Sequence, residues 1–320
     1  MKKIFAILTG EPKSINSEII AKSWKLIKNK QKKNIFLIGN FLLIKKQLNS
    51  LKLKIPLTKI NNIKNINSEK KLQILNVPLK FKNPFKIKEN ENSKYVLKCL
   101  NIANNLAKKN LITGFINCPI DKKKTFREKN LGVTEYLSRK NNLKNKEIMM
   151  IFNKKLSVVP ITTHTNIKNI VKKININNIT NKINSLNKSY YKLFKKKPTI
   201  IVLGLNPHNA ELRKDSEESK VIIPVIKKLK RKKLKISGPY PADTVFLNIK
   251  NFKNKVIVGM YHDQVLAPFK ALFKFDAINI TLGLKYTRVS PDHGTAQDII
   301  GLKKANPLSL IRSIEFFSNI

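Results

Sequence analysis

The sequence predicts an α/β protein with two lobes and largely parallel sheets, on three observations. At 320 residues and 36.7 kDa the chain is longer than a single hydrophobic core usually organises. Short apolar runs, mostly bounded by Gly, Pro or polar residues, recur along it as buried strands do. Between several of them, apolar residues fall at helical spacing. Alternation of this kind builds parallel sheets covered by helices on both faces.

The first run, 4–8, is too short for a secretory signal and meets Gly10, Glu11 and Pro12, so it reads as the opening strand. Ser14 or Asn16 then caps a helix whose apolar side carries Ile20, Trp24 and Ile27. A second strand is expected at 35–38. Residues 40–92 are rich in Lys and Asn with weak periodicity, and no element is placed there. Val96, Leu100, Ala103 and Ala107 mark a helix ahead of a strand at 111–116. Further strands are read at 156–162, 200–205, 255–260 and 277–282. Helical spacing recurs at Ile167, Ile170, Val171 and Ile174, and at Val221, Ile222, Val225 and Leu229. The first lobe is expected over 1–125 plus 300–320 and the second over 126–299.

Composition excludes several classes. An apolar share of 42% and a charged share of 26% suit a globular chain and no collagen-like, repeat-only or disordered one. No run approaches the roughly 18 apolar residues that cross a bilayer, so no membrane role is expected. Cys99 and Cys118 lack CxxC spacing, which removes a disulfide framework and a thiolate zinc site and points to reducing cytoplasm. The net charge of +46 resembles a nucleic-acid signature, but only six of the 65 basic residues are Arg, and Asn reaches 39. Lys, Asn and Ile rise together while Gly is held to 10, the bias AT-rich codons impose wherever the surface tolerates it. Nucleic-acid binders concentrate charge on one face and use Arg for base contacts, so no nucleic-acid partner is expected.

Against that background the rare residues carry information. All four His, six of the ten Gly and six of the seven Asp lie between His164 and Gly301. His164, His208 and His262 each follow an apolar run, in PITTHTN, GLNPHNAE and GMYHDQ. Ligands of α/β sheets bind beyond the carboxyl ends of strands. Imidazoles from three such ends can converge on one divalent cation and leave positions for substrate; the alternative is three hydrogen-bonded histidines in separate turns. Asp243, in the turn GPYPADTVF, reads as a proton acceptor or as a turn-stabilising residue. Asp263, beside His262, can orient a ligand or accept a proton. Lys270, Asn279 and Arg288, on an expected strand–turn–strand, read as a phosphate clamp in which Arg would supply the planar fork. A Rossmann GxGxxG, a P-loop and a GxSxG elbow are absent.

Seven stretches, in order, resemble the 4-hydroxythreonine-4-phosphate dehydrogenase family, the NAD-dependent enzymes of pyridoxal 5′-phosphate biosynthesis. They are TGEP (9–12), TEYL (134–137), TTH (162–164), LGLNPH (203–208), GPYPADT (238–244), MYHDQ (260–264) and NITLGL…R…DHGTA (279–296). The resemblance implies a two-lobed α/β/α fold like the isocitrate and isopropylmalate dehydrogenases, and a homodimer whose subunits share an active site in the inter-lobe cleft. It makes His164 and His208 of one subunit and His262 of its partner the ligands of one divalent metal (Zn, Mg, Mn or Co). It gives Thr134, Lys270, Asn279 and Arg288 to the substrate. The segment 292–301 resembles the adenosine-binding loop of the isopropylmalate dehydrogenases and assigns His293, Gly294 and Ala296 to NAD or NADP.

The implied reaction is oxidation of 4-phosphohydroxy-L-threonine to a β-keto acid, followed by decarboxylation to 3-amino-2-oxopropyl phosphate. Asp243 and Lys270 are expected to move protons, with Asp263 behind them. The chain departs from the family at Val133, where a His usually precedes the TE pair. It also lacks family glycines after TGEP and after NPH, and has Asp121 in CPIDKK. Three rival readings remain: a dehydrogenase of another phosphorylated hydroxy acid, such as threonate or erythronate phosphate; a basic nucleic-acid-binding protein on an inactive scaffold; and a drifting, weakly active enzyme, for which Val133 speaks.

Overall fold

The computed structural model describes residues 4–64, 66, 69–126, 132–143, 146–247, 252 and 254–320. Twelve strands are named along the chain: β1 (Phe5–Leu8), β2 (Ile35–Gly39), β3 (Leu57–Ile60), β4 (Leu72–Asn76), β5 (Gly114–Asn117) and β6 (Ile148–Phe152). They continue with β7 (Ser157–Thr162), β8 (Thr199–Leu203), β9 (Ile236–Tyr240), β10 (Lys255–Tyr261), β11 (Ile278–Leu282) and β12 (Thr287–Pro291). All seven runs read as strands form strands. The unassigned region 40–92 supplies a helix, Phe41–Ser50, started by Asn40, whose side chain accepts from the Leu43 N–H at 2.8 Å. It also supplies β3 and β4. No residue of β3 is fully buried, which removes the continuous apolar run that marks an inner strand.

Two compact units divide the chain: Met1–Leu137 with Lys285–Ile320, and Ser138–Leu284. The expected divisions near 125 and 300 lie instead at 137/138 and 284/285. The shift follows from pairing, because β12 runs parallel to β5 with Arg288 opposite Phe115. The loop after β12 also joins the first unit, with the Ile15 N–H donating to the Thr295 carbonyl at 3.2 Å. Residues 127–131, near the expected first crossing, lie outside the described residues.

In the first unit the strand order is β3-β4-β2-β1-β5-β12, every pair parallel. β1 and β2 are buried along their whole length, as strands covered on both faces must be. The last helix, Leu308–Ser318, closes this unit by stacking Phe317 on Phe5 with centroids 4.6 Å apart. In the second unit the order is β11-β6-β7-β10-β8-β9. Here β6 runs antiparallel to both neighbours and the rest are parallel. Its core includes Ile151, Val158, Leu203, Ile257, Val265 and Phe269, each contributing roughly 1.5–3 kcal/mol by leaving water.

Lys270 departs from the strand–turn–strand expectation. It lies on a helix, His262–Phe273, and Asn279 and Arg288 occupy β11 and β12. Val265, Leu266 and Phe269 are the reason, since their spacing buries one helical side against the sheet. Among the described residues no helix is long and apolar enough to cross a membrane.

Candidate active site

Parallel strands deliver their following residues to one sheet edge, and the second unit uses this for three histidines. β7 and β10 are neighbours, with Tyr261 opposite Thr162. His164 follows two residues after Thr162 and His262 directly after Tyr261, so their ring centroids stand 6.4 Å apart in one chain. Nδ1 of His262 lies 2.8 Å from Asp263 Oδ1, which directs Nε2 to any ligand role. His164 sits in the left-handed region at φ +48°, where a side chain other than glycine is strained.

His208 is held differently. Residues 208–212 all have positive φ, between 44° and 57°, so the chain makes one left-handed turn after Pro207. Each such L-residue costs about 1–2 kcal/mol, and an unsupported turn of five would unwind. Support comes from Glu218, which is fully buried. Its Oε1 accepts from the Leu205 N–H at 2.7 Å and the Asn206 N–H at 2.9 Å, and its Oε2 accepts from Asn206 Nδ2 at 3.0 Å. Burial alone would raise the Glu218 pKa, but the bonds from Asn206 and Leu205 outweigh it and hold the carboxyl below its ordinary range. Within the turn, Asn209 Nδ2 donates to the Pro239 carbonyl at 3.2 Å. The exposed His208 Nε2 thereby lies 3.9 Å from Asp243 Oδ2 in the turn after β9.

The other residues of this unit are spread more widely. Asp263 and Lys270 lie seven positions apart on one helix, about 10 Å of rise, so neither reaches the other directly. Asn279, on β11, has a buried Oδ1 with no hydrogen-bond partner, an acceptor suited to a donor group on a ligand.

Arg288 belongs to the first unit. It is buried, and its Nε donates to Asn117 Oδ1 at 2.6 Å. Burial lowers its pKa to about 10, which leaves it charged at neutral pH. Lys122 is also lowered, by burial first and then by the Arg288 charge, while Glu135 and Asp292 oppose the shift. Thr134, next to Glu135, stands in the helix Val133–Lys140, and Val133 itself is buried at its start. In the loop after β12, His293 Nδ1 approaches the Gly294 carbonyl at 3.0 Å and Ala296 is left-handed at φ +44°. An added Cβ at Gly294 would meet nothing within 4 Å, so the loop presents open backbone there. Glu11, in the loop after β1, is buried between Asn92 Nδ2 (2.6 Å) and the Asp121 N–H (3.3 Å), and burial raises its pKa.

The sequence profile of the family described as "Pyridoxal phosphate biosynthetic protein PdxA" matches residues 31–317. The chain belongs to the PdxA family. It is 33% identical to the 4-hydroxythreonine-4-phosphate dehydrogenase of Aquifex aeolicus, over 100% of this chain and 99% of that protein. It is 35% identical to that of Hydrogenobaculum, over 93% and 92%. The crystal structure of 4-hydroxythreonine-4-phosphate dehydrogenase from Klebsiella pneumoniae superposes with a TM-score of 0.86 at 27% identity, covering 99% of each chain. A beta-decarboxylating dehydrogenase from Thermococcus kodakarensis shares the fold alone, at 10% identity and a TM-score of 0.51.

For a PdxA member the donors fit a divalent cation in kind. His164 and His262 are neighbours within one chain, whereas the resemblance draws His262 from the partner subunit, and Asp263 backs His262 as carboxylates back metal-bound imidazoles. Among the described residues, though, no three His, Cys, Asp or Glu gather tightly enough within one chain to hold it. Reading the sequence missed two residues that shape this geometry. Asn117 could not be distinguished among 39 asparagines. Glu218 carried a usable signal, because acids number only 19 and Glu217–Glu218 fall inside the stretch rich in rare residues.

Proposed function

We propose that this PdxA chain oxidises 4-phosphohydroxy-L-threonine, with NAD or NADP as hydride acceptor and one divalent cation. The β-keto acid so formed loses CO2 to give 3-amino-2-oxopropyl phosphate. The reading is carried by the juxtaposition of His164 and His262 at neighbouring strand ends, in a chain whose full-length relatives bear that enzyme name. When bound, the cation draws electron density from the secondary alcohol and from the carbonyl that replaces it, and the nicotinamide takes the hydride.

His164, His208 and His262 hold the cation, three neutral donors that leave its charge undiminished. Asp243, exposed beside His208, takes the hydroxyl proton. After the carbon–carbon bond breaks and CO2 departs, Lys270 returns a proton to the enolate carbon. Asn279 accepts from a substrate donor through its buried Oδ1. Arg288, with Thr134, binds the anionic end. His293, Gly294 and Ala296 line the nucleotide loop. The protein works in the cytoplasm as a homodimer that completes each site with residues of both subunits, a reading in keeping with the lack, among the described residues, of three gathered ligands in one chain.

NADH formation with 4-phosphohydroxy-L-threonine, before and after chelation and again after adding back one cation at a time, tests the reading. Equal or faster turnover of threonate phosphate would favour the rival dehydrogenase.

A further inference from the structure

We infer that Glu218 is a positioning residue for His208: its carboxylate clamps the two backbone amides that enter the left-handed turn and so fixes where the imidazole points. This rests on the reading of His208 as a cation ligand. The turn cannot hold itself, because five successive non-glycine residues in the left-handed region favour returning to ordinary backbone. Asn209 Nδ2 ties the turn to the Pro239 carbonyl, and Glu218 fixes its entrance. One oxygen takes both the Leu205 and Asn206 N–H groups, and the other takes the Asn206 side chain. Glu217 Oε2 adds a second bond to Asn206 Nδ2 at 2.8 Å.

The fit tolerates no slack. A Cβ at Gly204 would collide with Asn209 Oδ1 and lie 3.0 Å from Glu218 Oε1, so the backbone before the turn packs directly on the clamp. Gln264 Nε2 ties the Gly204 carbonyl at 2.8 Å, and Gln264 Oε1 accepts from the Met260 N–H at 2.7 Å. Met260 is two residues before His262. Glu218 and Gln264 therefore brace the approach to His208 against the strand that delivers His262. Glu218 opens a short π-helical stretch, Glu218–Ile222.

The test uses the full-length dimer and cobalt(II), whose visible absorption reports coordination without turnover. Glu218→Ala should weaken cobalt affinity at least tenfold, broaden or shift the absorption band and lower kcat by a similar factor with little change in KM. Glu218→Gln keeps an acceptor for both amides and should stay within about threefold of the parent on all three readouts. Should E218A prove too unstable to purify, E218D carries the same test, since its side chain, shorter by one methylene, does not bring an oxygen to the two amides. A folded E218A or E218D with the parent's cobalt affinity, spectrum and kcat overturns the inference. His208→Ala is measured alongside. If it retains parental cobalt binding, the reading of His208 as ligand fails, a result distinct from failure of the clamp alone.

Discussion

The rings of His164 and His262 stand 6.4 Å apart in one chain because Thr162 and Tyr261 are paired across β7 and β10. Sheet register, and no local motif, creates this neighbourhood. Replacing His164, His208 or His262 with Ala should remove stoichiometric cation and NADH formation together. His293→Ala should keep the cation and weaken NAD binding. Elemental analysis after dialysis and an NAD titration check both, and retention of cation by all three single variants would sink the assignment.

Cation binding should depend on assembly. Since no described trio of donors closes within one chain, a monomer should hold the ion far less tightly than a dimer. Titrating cobalt at protein concentrations above and below the dimer dissociation constant measures this. An affinity independent of subunit association would place the whole site in a single chain.

Glycine scarcity has a structural price that can be relieved. Among the described residues, fifteen other than Gly have positive φ. Lys195 is one, ending the helix Ile176–Phe194 at φ 56° and ψ 22°, the conformation for which glycine is preferred. Lys195→Gly should stabilise the protein by about 0.5–1 kcal/mol, read as a rise in the denaturant midpoint without change of slope.

Legibility of the sequence followed burial. β1, β2, β7 and β10 were readable because strands buried on both faces are written in continuous apolar residues. β3 and the helix Phe41–Ser50 are harder to read, because β3 has four residues with none fully buried, and exposed Leu42 beside buried Leu43 and Ile44 blurs the helical period. The three histidines stood out because each follows such a run. The position of Lys270 is not legible in the pattern, because an apolar stretch with Pro268 inside it resembles a strand and a helix equally. Glu218 and Asn117 act through bonds to distant backbone and side-chain atoms, and no spacing along the chain encodes those contacts.

Both cysteines should be inert in the native protein. Each is fully buried, and burial pushes Cys99 up to about 12 and raises Cys118 as well, so neither forms thiolate at physiological pH. A thiol reagent should modify neither until denaturant is added, when both react. Rapid labelling of the folded protein would contradict the burial.

Charge should matter locally and not globally. Changing exposed Lys25, Lys45, Lys172, Lys188, Lys227 and Lys304 to Gln should leave turnover at saturating substrate intact. Salt screens such dispersed charge, with a Debye length of about 8 Å at physiological ionic strength. Arg288→Ala should cost roughly 2–3 kcal/mol in kcat/KM, the scale of a lost charge-assisted contact. Steady-state kinetics at low and physiological salt compare the two, and equal losses would make the overall field functional.

The stoichiometry of products tests the central claim most directly. With 4-phosphohydroxy-L-threonine labelled at its carboxyl carbon, NADH and labelled CO2 should appear one for one, both abolished by chelation and restored by a divalent cation. Reduced cofactor without CO2, or no reduction of either NAD or NADP by this substrate with cation present, would contradict it.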